Sequence, residues 1–473
     1  MRGRRAVRGV GAALVLVLSA AGCGVLTANN RELLSAQARF RSGDPEGALA
    51  ALDPGRRDDL CAKLDRATIL AGIGRVRESN EEFDRALAQI RGYEARATVS
   101  AREVGRGTTS LLVNDKAREY QGEGWEKVFV HALKARNYLL LGDLEAALVE
   151  VKNANRRQDE ERKRHRADVD RAEQAMGGGP LGDEIDRRFA PWDGILRRVA
   201  SPYENPFATY LSGIVYELNG EPDDAFIDYE HAYRMAPNPV VGADLARLAA
   251  RLDRTDALAP LGLRAPAGPP GPSRNTLVMV DNGFAPQRVE LKFPIPEPDT
   301  LLWVAVPMSR PVPTDLGETQ VLAADGTELG ETRMLVDVEA IAVRNLRDRY
   351  PGILLRQLAR AAGKAAAAHA ATEELGVGGF LLTTAFNAVT EQADLRGWYA
   401  LPRSIHVARV SLPEGAVEVR LRFRGPGGIR RERTVPVVRV TPHMNVVLVR
   451  YANGSVTASA PRAEHAALDA GRT

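Results

Sequence analysis

A repeated spacing of small residues constrains the fold of this chain more than any other feature. A glycine is followed five residues later by an alanine, or once by a serine, with helical patterns on both sides. The glycines are Gly43, Gly74, Gly142 and Gly220, and the first three are separated by 31 and by 68 residues, the latter being twice 34. Such a period is typical of stacked helix pairs, which bury their apolar faces only against neighbouring pairs.

The last copy resembles one tetratricopeptide (TPR) repeat. The residues that carry the resemblance are Gly213, Tyr216, Gly220, Ala225, Tyr229, Ala232 and Pro237. Gly213 and Ala225 stand where the two helices of a repeat touch, and Pro237 ends the second helix because it has no amide proton to donate. We therefore expect a TPR-like α-solenoid over residues 23–254, with a concave groove suited to an extended peptide or helix.

Composition and pattern change after the repeats. Residues 255–274 are rich in Pro and Gly and predict a stiff linker. Short alternating segments then predict an antiparallel β domain over residues 275–457. A helical insertion at about residues 338–393 interrupts this domain and is itself expected to break at Pro351. With a disordered tail at 458–473, the predicted fold class is α+β and multidomain.

The start of the chain has the pattern of an export signal. Residues 1–22 combine an Arg-rich start, a short apolar run and small residues directly before Cys23. A cysteine at this place resembles the bacterial lipobox, which implies cleavage before Cys23 and a lipid anchor on its thiol. By the same resemblance Gly24, in place of Asp, favours the outer membrane, with the protein facing the periplasm. The alternative is an ordinary secretory signal with an incidental cysteine.

Charge and residue usage exclude several function classes. The formal net charge is +3, and removal of a signal with four Arg and no acid leaves 3 − 4 = −1. Nucleic-acid binding needs a clustered excess of Lys and Arg, so we expect no nucleic-acid partner. The chain contains no zinc-protease, serine-hydrolase or P-loop motif, and its seven His are dispersed. We therefore expect a protein that is not an enzyme and has no cofactor or metal site.

The least repeat-like segment of the helical half is the first candidate for a partner site. It carries Asn114, Asp115, Tyr120, Glu123, Trp125 and Glu126. Exposed aromatic side chains beside carboxylates suit a basic or aromatic peptide. In the other interpretation, Tyr120 and Trp125 fill the apolar core at an irregular turn.

A possible second site lies between the helical insertion and the strand that follows it. Asp394, Arg396 and Trp398 lie close together in this segment. The alternative role is an Asp394–Arg396 interaction that holds the insertion on the sheet. Asp337 and Glu339, which precede an arginine-rich helical stretch, are expected to cap its N-terminus.

Together these segments resemble an uncharacterised family of Gram-negative TPR-repeat lipoproteins. The resemblance covers most of the mature chain and rests on motifs such as Tyr120-x-Gly122-Glu123, Asp281-Asn282-Gly283 and Leu395-Arg396 with Trp398. We expect a membrane-anchored periplasmic scaffold that binds a protein or peptide partner through the TPR groove, in envelope or cell-wall assembly. The alternatives are an envelope enzyme with an unfamiliar site in the C-terminal domain, or a structural part of an envelope complex. Converging titratable groups in a pocket would favour the enzyme.

Overall fold

Antiparallel helix pairs form the N-terminal half of the molecule. The computed structural model describes residues 28–55, 57–103, 119–176, 180–266, 275–297, 300–375, 392–413 and 415–461. The helices of this half are α1 (Ala28–Arg41), α2 (Pro45–Ala51), α3 (Leu60–Gly72), α4 (Val76–Glu103), α5 (Gly124–Leu141), α6 (Leu144–Met176), α7 (Pro180–Phe189), α8 (Asp193–Leu196), α9 (Pro206–Leu218), α10 (Pro222–Met235) and α11 (Pro239–Arg251). Four pairs pack along their lengths: α1 with α2, α3 with α4, α5 with α6, and α9 with α10.

The glycines of the repeated spacing form the turns inside these pairs. All four have φ between 76° and 84°, a conformation that glycine adopts without a Cβ penalty. The second helix of each pair begins two residues after its glycine. The small residue five positions after each glycine is fully buried, so the two helices can approach closely. The prediction of helix pairs joined at these glycines is therefore confirmed.

The contact between α9 and α10 explains a further part of the repeat pattern. A Cβ atom on Gly213 would lie 2.5 Å from the Tyr229 ring and 3.2 Å from the carbonyl oxygen of Ala225. Real Cβ atoms essentially never approach other atoms as closely as the first of these distances. Glycine at this position therefore lets the Tyr229 ring fill the space between the helices.

Within the described residues, the C-terminal half contains three sheets and one long helix. Its elements are β1 (Thr276–Asn282), β2 (Gln287–Glu297), β3 (Thr300–Arg310), β4 (Glu318–Leu322), β5 (Glu328–Glu331), β6 (Arg333–Asp337), α12 (Val338–Leu375), β7 (Ser404–Val410), β8 (Glu418–Gly425), β9 (Gly428–Pro436), β10 (Val438–Thr441), β11 (Met444–Ala452) and β12 (Ser455–Ala458). The main sheet has the order β10-β11-β1-β7-β6, with β12 also paired to β11. The hairpin β2–β3 and the sheet β5-β4-β8-β9 complete the half.

One feature of the main sheet corrects the prediction of a purely antiparallel domain. Strand β1 pairs antiparallel with β7 but parallel with β11, from Thr276 opposite Asn445 to Asn282 opposite Tyr451. Every residue of β1 is buried. Leu277 and Met279 belong to the apolar core shared with the helices. Val278 and Val280 belong to a second apolar core, which lies within the C-terminal half. Parallel pairing is typical of strands that are covered on both faces.

Three predicted boundaries also differ from the structure. Helix α12 continues through Pro351, because buried neighbours such as Tyr350 and Ile353 compensate for the hydrogen bond that proline removes. The start of the expected linker, Thr255–Leu261, is a 3₁₀ helix with Leu258 buried. The start of the expected disordered tail is ordered, since the Ser459 N–H donates to the Leu448 carbonyl oxygen at 2.8 Å. The remaining parts, 267–274, 376–391 and 462–473, lie outside the described residues.

The two halves share one apolar core. Phe40 of α1 meets Phe284, which follows β1, edge to face with ring centroids 6.0 Å apart. A buried ion pair also crosses the junction: Arg136 of α5 donates to Asp281 of β1 at 2.8 Å. The halves therefore form one packed unit rather than two modules separated by a spacer. None of the helices in the described ranges is long and apolar enough to cross a membrane.

Candidate functional site

One face of the first three helix pairs, called the inner face below, is covered by residues 395–401 of the same chain, which form neither helix nor strand. Asn30 and Gln37 of α1 donate side-chain hydrogen bonds to the carbonyl oxygens of Leu395 and Tyr399, at 2.6 and 2.8 Å. Tyr399 is itself almost completely buried. The surface on which we expected a partner peptide therefore holds a peptide segment of the protein itself.

Two carboxylates of the repeats bind the backbone of this segment two residues apart. Glu126 of α5 accepts from the Trp398 N–H at 3.2 Å, and Asp65 of α3 accepts from the Ala400 N–H at 2.7 Å. Burial raises the pKa of the Asp65 carboxyl to about 8, although the Ala400 N–H partly opposes this. Burial likewise raises the pKa of Glu126. Both groups sit in a water-poor contact between the halves of the molecule.

Trp398 anchors the segment in the core. Its ring meets Phe83 of α4 edge to face at 5.9 Å, and its Nε1–H donates to the Thr68 hydroxyl at 2.8 Å. Only 2% of the residue is exposed. Of the residues predicted for a second site, Trp398 is thus a packing residue of the closed inner face.

The aromatic residues of the first candidate site are buried, which corrects the expectation that they are exposed. Trp125 is 4% exposed and packs edge to face against Phe129. The Tyr120 hydroxyl donates to Glu126 at 2.5 Å, and burial raises the pKa of Tyr120 well above its usual value. Helix α5 begins at Gly124, so that Trp125 lies in its first turn, against the core. The position of both rings matches the interpretation that they fill the core.

Part of the first candidate site nevertheless reaches an open cleft of about 330 Å³. Tyr120 and Glu123 line it from the helical half, and Asp394 and Arg396 line it from the segment before β7. The structure thus brings together residues of both predicted sites, which lie about 270 positions apart in the sequence. Asn114, Asp115 and Cys23 lie outside the described residues.

Ion pairs organise the walls of the cleft. Glu123 accepts from Arg288 of β2 at 2.6 Å, and also from Arg349 of α12. Asp394 accepts from two nitrogens of Arg396, at 2.9 Å each, so the interaction proposed between these residues is present. The Arg396 guanidinium also lies 5.7 Å from the centre of the Tyr120 ring. The cleft therefore offers guanidinium groups held in defined positions by carboxylates.

Helix α12 provides the third wall. Leu346, Arg349, Ile353 and Gln357 recur at intervals of three or four residues and lie on one face of the helix, with Asn345 beside Leu346. The start of α12 is fixed by Asp337, which accepts from the Ala340 N–H at 3.0 Å, as the capping prediction required. Glu339 instead pairs with Arg403 at 2.6 Å.

Arg288 and Gln357 are cleft residues that sequence reasoning missed. Arg288 lies in a strand and Gln357 in a helix, and neither belongs to a motif. The Gln357 side chain is 2% exposed, and its amide oxygen has no hydrogen-bond partner among the described residues. Within those same residues no group of His, Cys, Asp or Glu side chains could hold a metal ion.

Comparison with known proteins gives only distant similarities. No protein-family model matches the chain, and no curated protein matches it. Similar solved structures include MamA, residues 41 to the end, from Desulfovibrio magneticus RS-1, with 14% identity, a TM-score of 0.28, and coverage of 49% of this chain and 89% of that chain. The complex of the yeast Sti1 TPR2AB domain with pHSP90 has 13% identity, a TM-score of 0.19, and coverage of 48% and 85%. The helix pairs themselves, rather than these matches, define the N-terminal half as TPR-like.

Proposed function

We propose that the protein is a lipid-anchored scaffold, facing the periplasm, that binds a protein or peptide partner at the cleft between its two halves. The observation that carries the proposal is the convergence of Tyr120, Glu123, Asp394 and Arg396 on one open cleft. The inner face of the helix pairs is a poorer candidate, because residues 395–401 already occupy it and bind Gln37, Glu126 and Asp65. The cleft volume lies within the range of about 300–1,000 Å³ that is typical of ligand sites.

The proposed anchor rests on the sequence before Cys23. If the mature protein begins at an acylated Cys23, its intact mass exceeds that of the unmodified chain by the acyl groups. The Cys23→Ala variant should lack this mass. A wild-type protein that carries no acyl group would remove the anchor from the proposal and leave the cleft unaffected.

Partner recovery tests the cleft. In α12, Arg349 lines the cleft, whereas Arg347 lies outside its lining and pairs with Asp186. We expect Arg349→Glu to lose the proteins that wild type recovers from crosslinked envelopes, because it places a carboxylate beside Glu123. Arg347→Glu is the matched control and should recover them. Equal recovery by both variants would contradict a partner site in the cleft.

Catalysis is the second candidate function, because titratable groups from several elements line the cleft. A general base needs a lone pair within hydrogen-bond reach of the proton that it removes. Glu123 and Asp394 each already accept from arginines, so fewer of their lone pairs are open to a substrate proton. Binding is therefore the better supported role. Turnover of isolated cell-wall fragments by the purified protein would favour the enzyme.

A further inference from the structure

The buried polar lining of the cleft carries information about its ligand. Asn345 and Gln357 of α12 and Glu123 are each less than a tenth exposed, although they line an open cavity. Buried polar groups in folded proteins are nearly always hydrogen-bonded, and an exception requires an explanation. Asn345 and Glu123 meet this rule, since the Asn345 amide donates to Glu123 at 3.3 Å.

Gln357 is the exception. The residue lines the cleft, and its amide oxygen is buried and has no hydrogen-bond partner within the described ranges. Leaving such an acceptor unmet is unfavourable, and an apolar side chain of similar size would avoid the cost. A ligand that offers an N–H or O–H donor at this place would satisfy it.

Arg288 offers hydrogen-bond donors, whereas Gln357 offers an acceptor. In the part of the chain that the structure describes, its guanidinium makes one hydrogen bond, to Glu123, whereas a guanidinium has five N–H donors. The side chain is 16% exposed and lines the cleft, so the remaining donors can reach a ligand. The planar fork of arginine matches a carboxylate with two parallel hydrogen bonds.

Apolar side chains complete the lining. Pro307 of β3 and Leu346 and Ile353 of α12 border the same cleft. A ligand that fits all these groups has a carboxylate, an N–H donor and an aliphatic portion. An acidic peptide segment combines the three, since its backbone supplies N–H groups beside each side chain.

We propose that the cleft recognises an acidic peptide segment, with the carboxylate of an Asp or Glu side chain on Arg288 and a backbone N–H on Gln357. Leu346 and Ile353 contact a neighbouring aliphatic residue of that peptide. This assignment rests on the proposed function, because it names the chemistry of the partner segment at the same site.

A randomised pool of heptapeptides with blocked termini tests the assignment directly. The full mature chain is immobilised, and the retained peptides are sequenced by mass spectrometry. We expect retained peptides to be enriched in Asp and Glu over Asn and Gln. Arg288→Met should reduce retention by about tenfold or more, because it removes a charge-assisted hydrogen bond. Arg347→Met, outside the cleft, is the matched control.

A second variant separates binding from folding. Gln357→Leu keeps the approximate size of the side chain and removes only its hydrogen-bonding groups. We expect it to remain folded and to lose retention. No retention by wild type, retention without preference for acidic residues, or full retention by a folded Gln357→Leu variant would each overturn the assignment.

The outcomes also distinguish this inference from the proposed function. If Arg349→Glu loses the envelope partner while the pool shows no acidic preference, the cleft binds a partner of different chemistry and only the present inference fails. If acidic peptides are retained while Arg349→Glu keeps the partner, the peptide site stands and the proposed partner function fails.

Discussion

The closed inner face and the open cleft are built from the same short segment and differ in whether the chain itself fills them. Asp394 and Arg396 line the cleft, whereas Trp398 and Ala400, a few residues later, lie in the closed face. In the closed face, the bound backbone N–H groups meet carboxylates of the helices. Acceptors without a partner among the described residues occur in both regions, at Asn30 and Asp65 in the closed face and at Gln357 in the cleft, but Gln357 lines an open cavity. Substitutions should therefore cost stability in the first region and binding in the second.

Among the predicted substitutions, truncation of Trp398 in the closed face should lower the free energy of unfolding most. Trp398→Ala removes a ring that is 2% exposed and the hydrogen bond to Thr68. We expect a loss of about 3–5 kcal/mol in the free energy of unfolding, measured by chemical denaturation. Trp192→Ala is the control, because that ring is half-buried and should cost less.

Trp125→Ala extends the same test to the first candidate site. Because Trp125 is also buried, its truncation should cost about as much as that of Trp398. If Trp125→Ala kept its stability and lost only partner recovery, the partner role predicted from the sequence would hold against the core role.

The second prediction uses the buried carboxyl of Asp65. Its pKa is about 8 in the folded protein and about 4 in an unfolded chain, so the folded state holds one more proton between these values. This contribution to stability is complete below pH 4 and is lost as pH rises through 8. The loss should reach about 1.4 kcal/mol per pH unit.

Asp65→Asn should remove this dependence, because an amide does not titrate and its oxygen can still accept from the Ala400 N–H. Denaturation midpoints between pH 5 and 8 measure the difference from wild type. Asp159→Asn, at an exposed position of α6, should leave the pH dependence unchanged. A steep dependence that persists in Asp65→Asn would show that another group causes it.

The sequence predicted local features of the fold better than contacts between distant segments. The four turn glycines were found because each repeats the same local pattern, and their φ values require glycine. The parallel pair β1–β11 joins segments about 170 residues apart, and no local pattern encodes such a pairing. Trp125 was assigned to an irregular segment between repeats, whereas it lies buried in the first turn of α5.

In the candidate site, too, the sequence predicted local features but not the contacts between distant segments. Tyr120, Glu123, Asp394 and Arg396 were recognised as candidates from their local sequence, but their common cleft depends on how α5, β2 and α12 pack. Gln357 gave no signal, because an isolated glutamine in a helix is normally a surface residue. Its importance follows only from its burial and from its unmet acceptor.

The smallest predicted effect comes from the same change, Gln to Leu, made once in the closed face and once in the cleft. Gln37 of the closed face and Gln357 of the cleft are 4% and 2% exposed. Gln37→Leu removes the hydrogen bond to the Tyr399 carbonyl and also leaves the Gln287 amide without an acceptor. We expect it to cost about 1–2 kcal/mol of unfolding free energy. Gln357→Leu removes an acceptor with no partner in the described residues, so unfolding free energy should stay within about 0.5 kcal/mol of wild type or rise. Equal losses in both variants would mean that Gln357 is bonded in the free protein, and the contrast between a closed face and an open cleft would no longer hold.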